Sequence, residues 1–436
     1  MLKNLRFSAM ALALACASAG VHADDFFRDG SIDGEVRLYR FDRNYDNQAT
    51  KDQFANSLAG FLTVKSGTVN GFSAVATGFS AHSFGTQQHD TSRIDASLMG
   101  QKNVVDGFTQ AYAQYANAFL TIRMGDQYLN TPWMGQSDTR VIPASYQAGL
   151  LNFRPAKGWD VYVIRVLRWK SRTSDGYEDD NLYYPSTYHN DTMYGNNGSL
   201  PATAHEQNGT TAIGSTYAAG PIKAQAWYYN FEHFAHTGYL EGTYTLPKMG
   251  GVTPFISAQV VRQTGGNENV LVDTQTKLLG VAGQRVDSRA WGIDTGVNVG
   301  HAKFDFSYNK LESDRNAVGA GAIISPYTSN YSSDPLFTSS MLRGLVEQGP
   351  GHAWKARAMY SLFQDAVQLT ASYARYDTIL RGVDHELYAD VTWKLDRWVK
   401  GLQVRDRWEH PVGGKNNLNP GNMPWSSNRL MLSYKF

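Results

Sequence analysis

The residues of this chain best suited to recognising a solute are cations spaced along alternating segments. Arginine or lysine recurs at every second position in several stretches, as at Arg405 and Arg407. A guanidinium group can hold a carboxylate through two parallel hydrogen bonds, so a row of such groups would guide carboxylates along a wall. The candidate row is Arg37, Arg43, Lys65, Lys355, Arg357, Arg405, Arg407 and Arg429. In the alternative interpretation, these cations pair with acids such as Glu35, Glu386 and Asp390 and have a purely structural role.

Catalytic and metal chemistry have little support in the sequence. Histidine is the commonest general base, but His189, His205 and His352 lack a recognisable Ser or Asp partner motif. His233 and His236 fit a strand end or turn better than a ligand set. The chain has no Gly-rich phosphate loop or Cys cluster, and its formal net charge of +1 gives no footprint for nucleic acid. We therefore predict no enzymatic activity, no metal, no cofactor and no nucleic-acid partner.

The segments that carry the cations have the period of a β-strand. From Gly34 onward, stretches of about 9 to 11 residues alternate apolar and polar side chains, which indicates strands with two different faces. Eighteen such stretches can be marked, and an even number allows the first and last strands to pair. Beyond the N-terminus no apolar run reaches the roughly 18 residues that a membrane helix needs. The predicted fold is all-β: a transmembrane antiparallel barrel of about 18 strands.

The connections between these strands are sorted by length. Short turns follow even-numbered strands, as at Val69–Gly71 and Gly300–His301. Most of the other connections are long, as at Ala81–Asp106 and Asn309–His352. Outer-membrane barrels have short periplasmic turns and long extracellular loops, so the sorting predicts this orientation.

The N-terminus has the features of an export signal. Lys3 and Arg6 precede an apolar stretch, and Val21-His22-Ala23 forms a small-residue cleavage site before Asp24. We predict a signal peptide over residues 1–23 and a single barrel domain over residues 24–436. Cys16 lies inside this signal, so the mature chain is expected to have no disulfide.

The last segment has one apolar and one polar face. Leu430, Leu432, Tyr434 and Phe436 share one parity, which suits lipid. An alternating strand that ends on Phe resembles the terminal signature read by the barrel assembly machinery, so that machinery is a predicted partner through Phe436.

The same parity test separates lumen from lipid on other strands, because a charge facing lipid at mid-bilayer costs roughly 2 to 4 kcal/mol. Leu120 and Ile122 set the lipid face of their strand and place Arg123 in the lumen. Three arginines fall on the apolar parity and are expected near a rim or after a bulge. They are Arg40, Arg165 and Arg375.

A family resemblance appears between the fifth and sixth predicted strands. The segment runs Gly125-Asp126-Gln127, then Asn130-Thr131-Pro132, then Ser137-Asp138-Thr139-Arg140-Val141-Ile142-Pro143. It resembles the third loop of OprD-type porins, the substrate-specific carboxylate channels of pseudomonads, with Asn130, Thr139 and Val141 where Asp, Ser and Leu are usual. Residues 37–44, 66–67, 400–407 and 428–430 resemble further segments of that family.

The resemblance implies a third loop folded into the lumen, where it forms a narrow eyelet beside a ladder of arginines. It implies Asp138 and Arg140 at the eyelet, and Arg123 is counted with them from its lumen parity. The implied ladder residues are Arg37, Arg43, Arg405, Arg407 and Arg429. The second strand departs from the pattern, because it offers Thr63 and Lys65 in place of arginine.

We therefore predict a channel of the bacterial outer membrane. It would pass small carboxylate-bearing solutes, either amino acids or aromatic and cyclic acids, by facilitated diffusion. A general-diffusion porin and a sugar-selective porin are the alternatives. Outer-membrane lipid and lipopolysaccharide are the other expected partners, and the chain is expected to be a monomer or a loose homotrimer.

Overall fold

The computed structural model of the protein describes residues 29–46, 50–137, 139–177, 209–233, 235–265, 281–324, 327, 334–341, 343–379, 381–413 and 424–436. The predicted signal peptide and Asp138 lie outside the described residues.

Twenty strands account for most of the described chain. The first nine are β1 (Ser31–Tyr45), β2 (Gln53–Lys65), β3 (Phe72–His82), β4 (Val104–Ala116), β5 (Leu120–Gln127), β6 (Asn130–Thr131), β7 (Met134–Gly135), β8 (Ser145–Ala156) and β9 (Trp159–Lys170). The next six are β10 (Thr210–Ala219), β11 (Ile222–Phe231), β12 (Ala235–Thr245), β13 (Val252–Thr264), β14 (Asp287–Val299) and β15 (Ala302–Leu311). The last five are β16 (Gly351–Leu362), β17 (Val367–Thr378), β18 (Gly382–Lys394), β19 (Leu402–Gly413) and β20 (Trp425–Lys435).

Helical structure in the described residues is short. It consists of two 3-10 turns, Thr91–Arg93 and Val318–Ala320, and the single-turn helix α1 (Leu345–Gln348). None of the helical segments described has the length and apolarity that crossing a membrane would require.

Eighteen strands form one closed antiparallel sheet, which confirms the predicted barrel. Each strand pairs with its neighbours in sequence, and β6 and β7 form a separate small hairpin between β5 and β8. The barrel closes where β1 pairs with β20, with Leu38 opposite Leu432 and Phe41 opposite Arg429. Closure satisfies the backbone groups of both terminal strands and leaves no sheet edge exposed to lipid.

The two faces of the wall follow the parity that the sequence predicts. Val36, Leu38, Leu62 and Leu430 are exposed on the outside. The buried residues lie inside, because connections on the long-loop rim fold back into the lumen in their described residues, most extensively three of them. These three are the second loop (residues 83–103), the third loop (residues 128–144) and the seventh loop (residues 312–350), taken over their described residues.

Several strand starts differ from the prediction at the long-loop rim. β2 begins at Gln53, although alternation becomes visible only near Ser57, and β4 begins at Val104 instead of near Thr109. At the short-turn rim, β19 begins at Leu402 and not near Val399, because residues 395–399 form a turn in which the Trp398 amide donates to the Leu395 carbonyl. Strands extend beyond the lipid band at the rim, and there apolar side chains no longer have to alternate with polar ones.

Candidate functional site

The lumen wall where the barrel closes is basic. Lumen-facing positions of β1, β19 and β20 bring Arg37, Arg43, Arg407 and Arg429 onto adjoining strands, and Arg407 lies directly opposite Arg429. These residues come from strands that are far apart in the sequence, and closure of the barrel brings the first and last strands together. Arg407 and Arg429 are thus neighbours, Arg43 lies on the adjoining strand, and Arg37 lies further along β1 towards the short-turn rim.

The third loop crosses the lumen and docks on this basic wall, which confirms the predicted infolding. Arg37 donates a hydrogen bond from Nη1 to the Val141 carbonyl at 3.2 Å. Val141 and Ile142 are fully buried and pack in one cluster with Tyr39 and Phe41 of β1. The loop thus buries apolar side chains against the wall and presents its polar residues beside the arginines.

Arg140 and Arg429 lie against the same aromatic ring. Their guanidinium carbons are 5.7 Å and 4.7 Å from the centroid of Phe41, and both side chains are almost fully buried. Such cation–π contacts are stronger when the groups are removed from water. Phe41 therefore joins the third-loop cation to the wall cation.

Two buried carboxylates are the counter-charges of this group, Asp95 of the second loop and Glu409 of β19. Asp95 Oδ2 lies 3.9 Å from Arg43 Nη2, and Arg429 and Arg140 are within electrostatic reach. Burial opposes ionisation of Asp95, but these three arginines hold the pKa of the carboxyl below its usual value. We call Arg37, Arg43, Arg140, Arg407 and Arg429 the constriction cluster.

Hydrogen bonding within the cluster is uneven. Arg37 Nε is held by Glu35 Oε1 at 2.8 Å. Arg407 Nε donates to Tyr388 and lies 3.4 Å from Asp390, which is also 2.5 Å from Arg405. By contrast, Nε and Nη2 of Arg429 are buried, and neither has a hydrogen-bond partner among the residues described. Arg429 therefore has donors to offer to a solute.

The other predicted lumen cations occupy separate positions. Arg357 is paired with Asp305 at 3.0 Å, and Lys355 donates to the Ser339 carbonyl of the seventh loop at 2.6 Å. Lys65 lies at the short-turn mouth and is paired with Asp33 at 2.7 Å. Arg123 donates to Gln114 and covers the ring of Tyr112, so its described contacts are with β4 and not with the third loop. The structural pairing considered from sequence thus applies to several of these side chains.

The opposite side of the third loop is anchored by aromatic residues. Trp133 is fully buried, and its ring meets Tyr239 of β12 edge-on at 6.4 Å. The Trp133 amide donates to the Tyr229 hydroxyl of β11 at 3.5 Å. The loop is therefore held between an aromatic wall and a basic wall, and it narrows the passage between them.

Two buried cations at the end of β9, Lys170 and Arg172, are not among the predicted site residues, and Arg172 contacts the third loop. Arg172 follows β9 and donates from Nη1 to Ser137 at 3.2 Å and Thr139 at 3.3 Å. Lys170 Nζ lies 4.7 Å from the centroid of Phe79. The signal available was Arg168, Lys170 and Arg172 at alternate positions, but the parity test treated this region as the start of a loop.

The inward course of the seventh loop was also missed, because its length suggested only an extracellular loop. Tyr327 contacts Tyr146, Trp169 and Phe231 with ring centroids 5.6 to 6.2 Å apart. Gln263 and Ile324 exchange two hydrogen bonds of 2.6 Å and 2.9 Å. The apolar run over residues 317–324, buried throughout, was the signal for this burial.

A cavity lies between the third loop and the short-turn rim. It has a volume of about 1000 Å³ and is lined by Arg37, Lys65, Phe61, Tyr128 and Gln136, among others. Arg37 thus belongs to the constriction cluster and also lines this cavity. A solute leaving the constriction would enter a space with cations and aromatic rings on its walls.

The closed eighteen-stranded barrel and a family match over most of the chain together identify a porin of the bacterial outer membrane. Residues 24–341 match the family described as outer membrane porin, OprD family. The chain belongs to this family.

Solved structures show the same fold at low sequence identity. OccK9 (OpdG) of Pseudomonas aeruginosa is 15% identical with a TM-score of 0.75, and the match covers 94% of this chain and 99% of that one. OpdK of the same species, solved with vanillate, is 15% identical with a TM-score of 0.73 and the same coverage. OccK2 (OpdF) of P. aeruginosa in complex with glucuronate is 14% identical with a TM-score of 0.70, covering 94% and 99%. No curated protein matches the chain.

Proposed function

We propose that this porin passes small carboxylate-bearing solutes, either amino acids or aromatic and cyclic acids, by facilitated diffusion through the constriction cluster. The observation that carries the proposal is Arg429, a buried guanidinium beside the third loop whose Nε and Nη2 have no hydrogen-bond partner among the described residues. A buried polar group without a partner is costly, so a carboxylate that accepts from these donors would be favoured there.

The surroundings of Arg429 support selectivity for anions. Arg43, Arg140 and Arg407 add positive charge nearby, and Asp95 and Glu409 supply the counter-charges. Fixed charges in a narrow passage with low-dielectric walls act strongly on a passing ion. Because Asp95 competes for the same arginines, a bound carboxylate would also be released, as conduction requires.

The ligands of related structures are consistent with this class of solute. OpdK was solved with vanillate and OccK2 with glucuronate, and each of these compounds carries one carboxylate. Both channels have the fold of this chain. We propose for this chain only the class of solute, small carboxylates, and neither of the two compounds.

The aromatic residues of the lumen give less support to a sugar channel. Such a channel needs a row of rings open to the solute. Trp227, Tyr229 and Phe231 do form a stacked row on β11, but they are at most 6% exposed. The third loop and Tyr327 cover this row, so its role is to anchor the infolded loops.

The test is block of the single-channel current in a planar bilayer by benzoate, arginine and neutral sugars. Wild-type protein should be blocked by a carboxylate in a concentration-dependent way and not by sugars. Arg429→Gln should weaken that block about tenfold, the effect of losing roughly one charge-assisted hydrogen bond.

The matched control is Lys303→Gln. Lys303 is a lumen cation near the short-turn rim, 3.9 Å from Asp305 and outside the constriction cluster. It should leave the block within about twofold of wild type. Equal weakening in both variants, or block by sugars alone, would contradict the proposal.

A further inference from the structure

Three arginines gather on the outer surface of the barrel, away from the lumen. Arg262 of β13 lies directly opposite Arg289 of β14, and Arg285 precedes β14 on the same face. All three surround Asp287: Arg262 Nη1 is hydrogen-bonded to it, Arg285 Nε is 3.4 Å away and Arg289 Nε is 3.8 Å away. We call Arg262, Arg285 and Arg289 the rim arginine cluster.

One carboxylate does not neutralise this cluster. Asp287 is 13% exposed and lies beneath the arginines, which are 42%, 57% and 60% exposed. Asp314 takes one further contact from Arg285, at 2.6 Å. Like charges directly opposite each other on neighbouring strands are destabilising, and a guanidinium has five N–H donors. Arg262 Nη1 also donates to the Ser288 carbonyl at 3.1 Å, whereas Arg285 and Arg289 are more than half exposed and keep donors accessible from outside.

The neighbouring charges leave a positive excess. Lys310 of β15 and Arg315 lie beside the cluster, as does Glu312. Among the described residues this gives five cations against three carboxylates. The five cations are Arg262, Arg285, Arg289, Lys310 and Arg315, and the three carboxylates are Asp287, Asp314 and Glu312.

The cluster borders the apolar band of the barrel. The next outward residues towards mid-membrane are Trp291 on β14 and Val260 on β13, which are 40% and 51% exposed. Trp291 also contacts Tyr308, with ring centroids 5.5 Å apart, as in the aromatic girdle at a membrane interface. The arginines therefore lie on the long-loop side of this girdle, at the level of the lipid headgroups.

We propose that the rim arginine cluster binds the phosphate group of a phosphorylated lipid headgroup in the outer leaflet. Arg262 and Arg289 would present their guanidinium forks to the phosphate oxygens, and the acyl chains would cover Trp291 and Val260. A lipid fits better than free phosphate because cationic and apolar surfaces adjoin here.

Another outward arginine provides an internal comparison. Arg165 of β9 is hydrogen-bonded to Glu232 and to Thr211, so a carboxylate is available to this single cation. Its side chain is 38% exposed, close to the value for Arg262. Arg165 therefore has a similar position without an excess of charge, and it serves as the matched control.

The test is native mass spectrometry of the purified full-length protein with bisphosphorylated lipid A, with the dephosphorylated lipid and with inorganic phosphate. Wild-type protein should bind the phosphorylated lipid at least about tenfold more tightly than the dephosphorylated one. Arg262→Gln combined with Arg289→Gln should abolish that preference, and Arg165→Gln should retain it.

Each contrary result is informative. Equal binding of both lipids by the wild type would overturn the proposal without reference to any variant. Binding by the double variant as tight as that of the wild type would also overturn it. Competition by inorganic phosphate at the same concentration as the lipid would reassign the site to free anions and reject the lipid. Single-channel conductance, unchanged in all variants, checks that the barrel is folded.

Discussion

At the scale of single residues, the hydrogen-bond partners of each arginine decide what it can do. Arg405 is held by Asp390 at 2.5 Å, and Arg357 by Asp305 at 3.0 Å. The Arg429 side chain is also almost fully buried, but two of its nitrogens have no hydrogen-bond partner among the described residues. Parity in the sequence can identify lumen cations, but it cannot distinguish paired ones from open ones, because pairing depends on strands and loops remote in sequence.

The paired arginines still set the charge of the wall. Changing Arg405 and Arg407 together to Gln would leave Asp390, which contacts both, without a cationic partner in the lumen. We expect the reversal potential in a salt gradient to shift towards cation selectivity, and carboxylate flux to fall more than neutral-solute flux. Equal losses for both kinds of solute would argue against an electrostatic role.

At the scale of elements, the infolded loops determine the pore. The third loop was recognisable from its Asp-Thr-Arg and Pro spacing. The burial of the second loop was not recognisable, and that of the seventh had only the apolar run over residues 317–324 as a signal. Ile94, Leu98 and Ala317–Ile324 are buried there, but a loop has no period from which burial can be inferred. Arg172 was missed for the same reason, because its partners Ser137 and Thr139 belong to another loop.

The anchor of the third loop is testable through Trp133. Trp133→Ala removes a fully buried ring, and such truncations cost about 3 to 5 kcal/mol. We expect a larger and noisier single-channel conductance as the loop leaves the aromatic wall. Trp398→Ala is the control, because Trp398 is 65% exposed in a short turn and should not affect conductance. An unchanged conductance in the Trp133 variant would mean that the basic wall alone holds the loop.

The seventh loop should make stability depend on pH. Burial raises the pKa of Asp334 to about 6, while the amide of Leu336 donates to its Oδ1 at 2.9 Å. The pKa of this carboxyl in the unfolded chain is roughly 4. Between about pH 4 and pH 6 the folded protein therefore binds a proton that the unfolded chain does not, and stability falls as the pH rises through this range. Asp334→Asn should therefore unfold at a higher temperature than wild type at pH 7 and at the same temperature below about pH 4. A difference independent of pH would exclude this titration.

At the scale of the whole molecule, the sequence contains most of the architecture. Alternation, an even strand number and sorted connections predict the closed barrel, because lipid outside and water inside impose a different requirement on each face. The ends of β2 and β4 at the long-loop rim were not predictable, because apolar and polar side chains have to alternate only where a strand faces lipid. The basic wall follows from closure, which the strand count implies.

A glycine lies opposite the C-terminal residue where the barrel closes. The backbones of Gly34 and Phe436 exchange hydrogen bonds of 2.8 Å and 3.0 Å, and a Cβ on Gly34 would lie 2.3 Å from the Phe436 ring. Gly34→Val should displace that ring and lower the yield of heat-modifiable, folded barrel in the membrane. Gly60→Val is the control, because nothing lies within 4 Å of a Cβ at Gly60. Normal assembly of both variants would show that the Phe436 ring is dispensable.

The central claim is that fixed cations at the constriction select for a carboxylate. It is tested most directly by the uptake of benzoate and benzamide into liposomes containing the wild-type porin, because these solutes have nearly the same size and differ in charge. We predict that benzoate enters faster than benzamide at low concentration and saturates as the constriction fills. Equal, non-saturating rates for the two solutes would contradict the claim and indicate a general-diffusion pore.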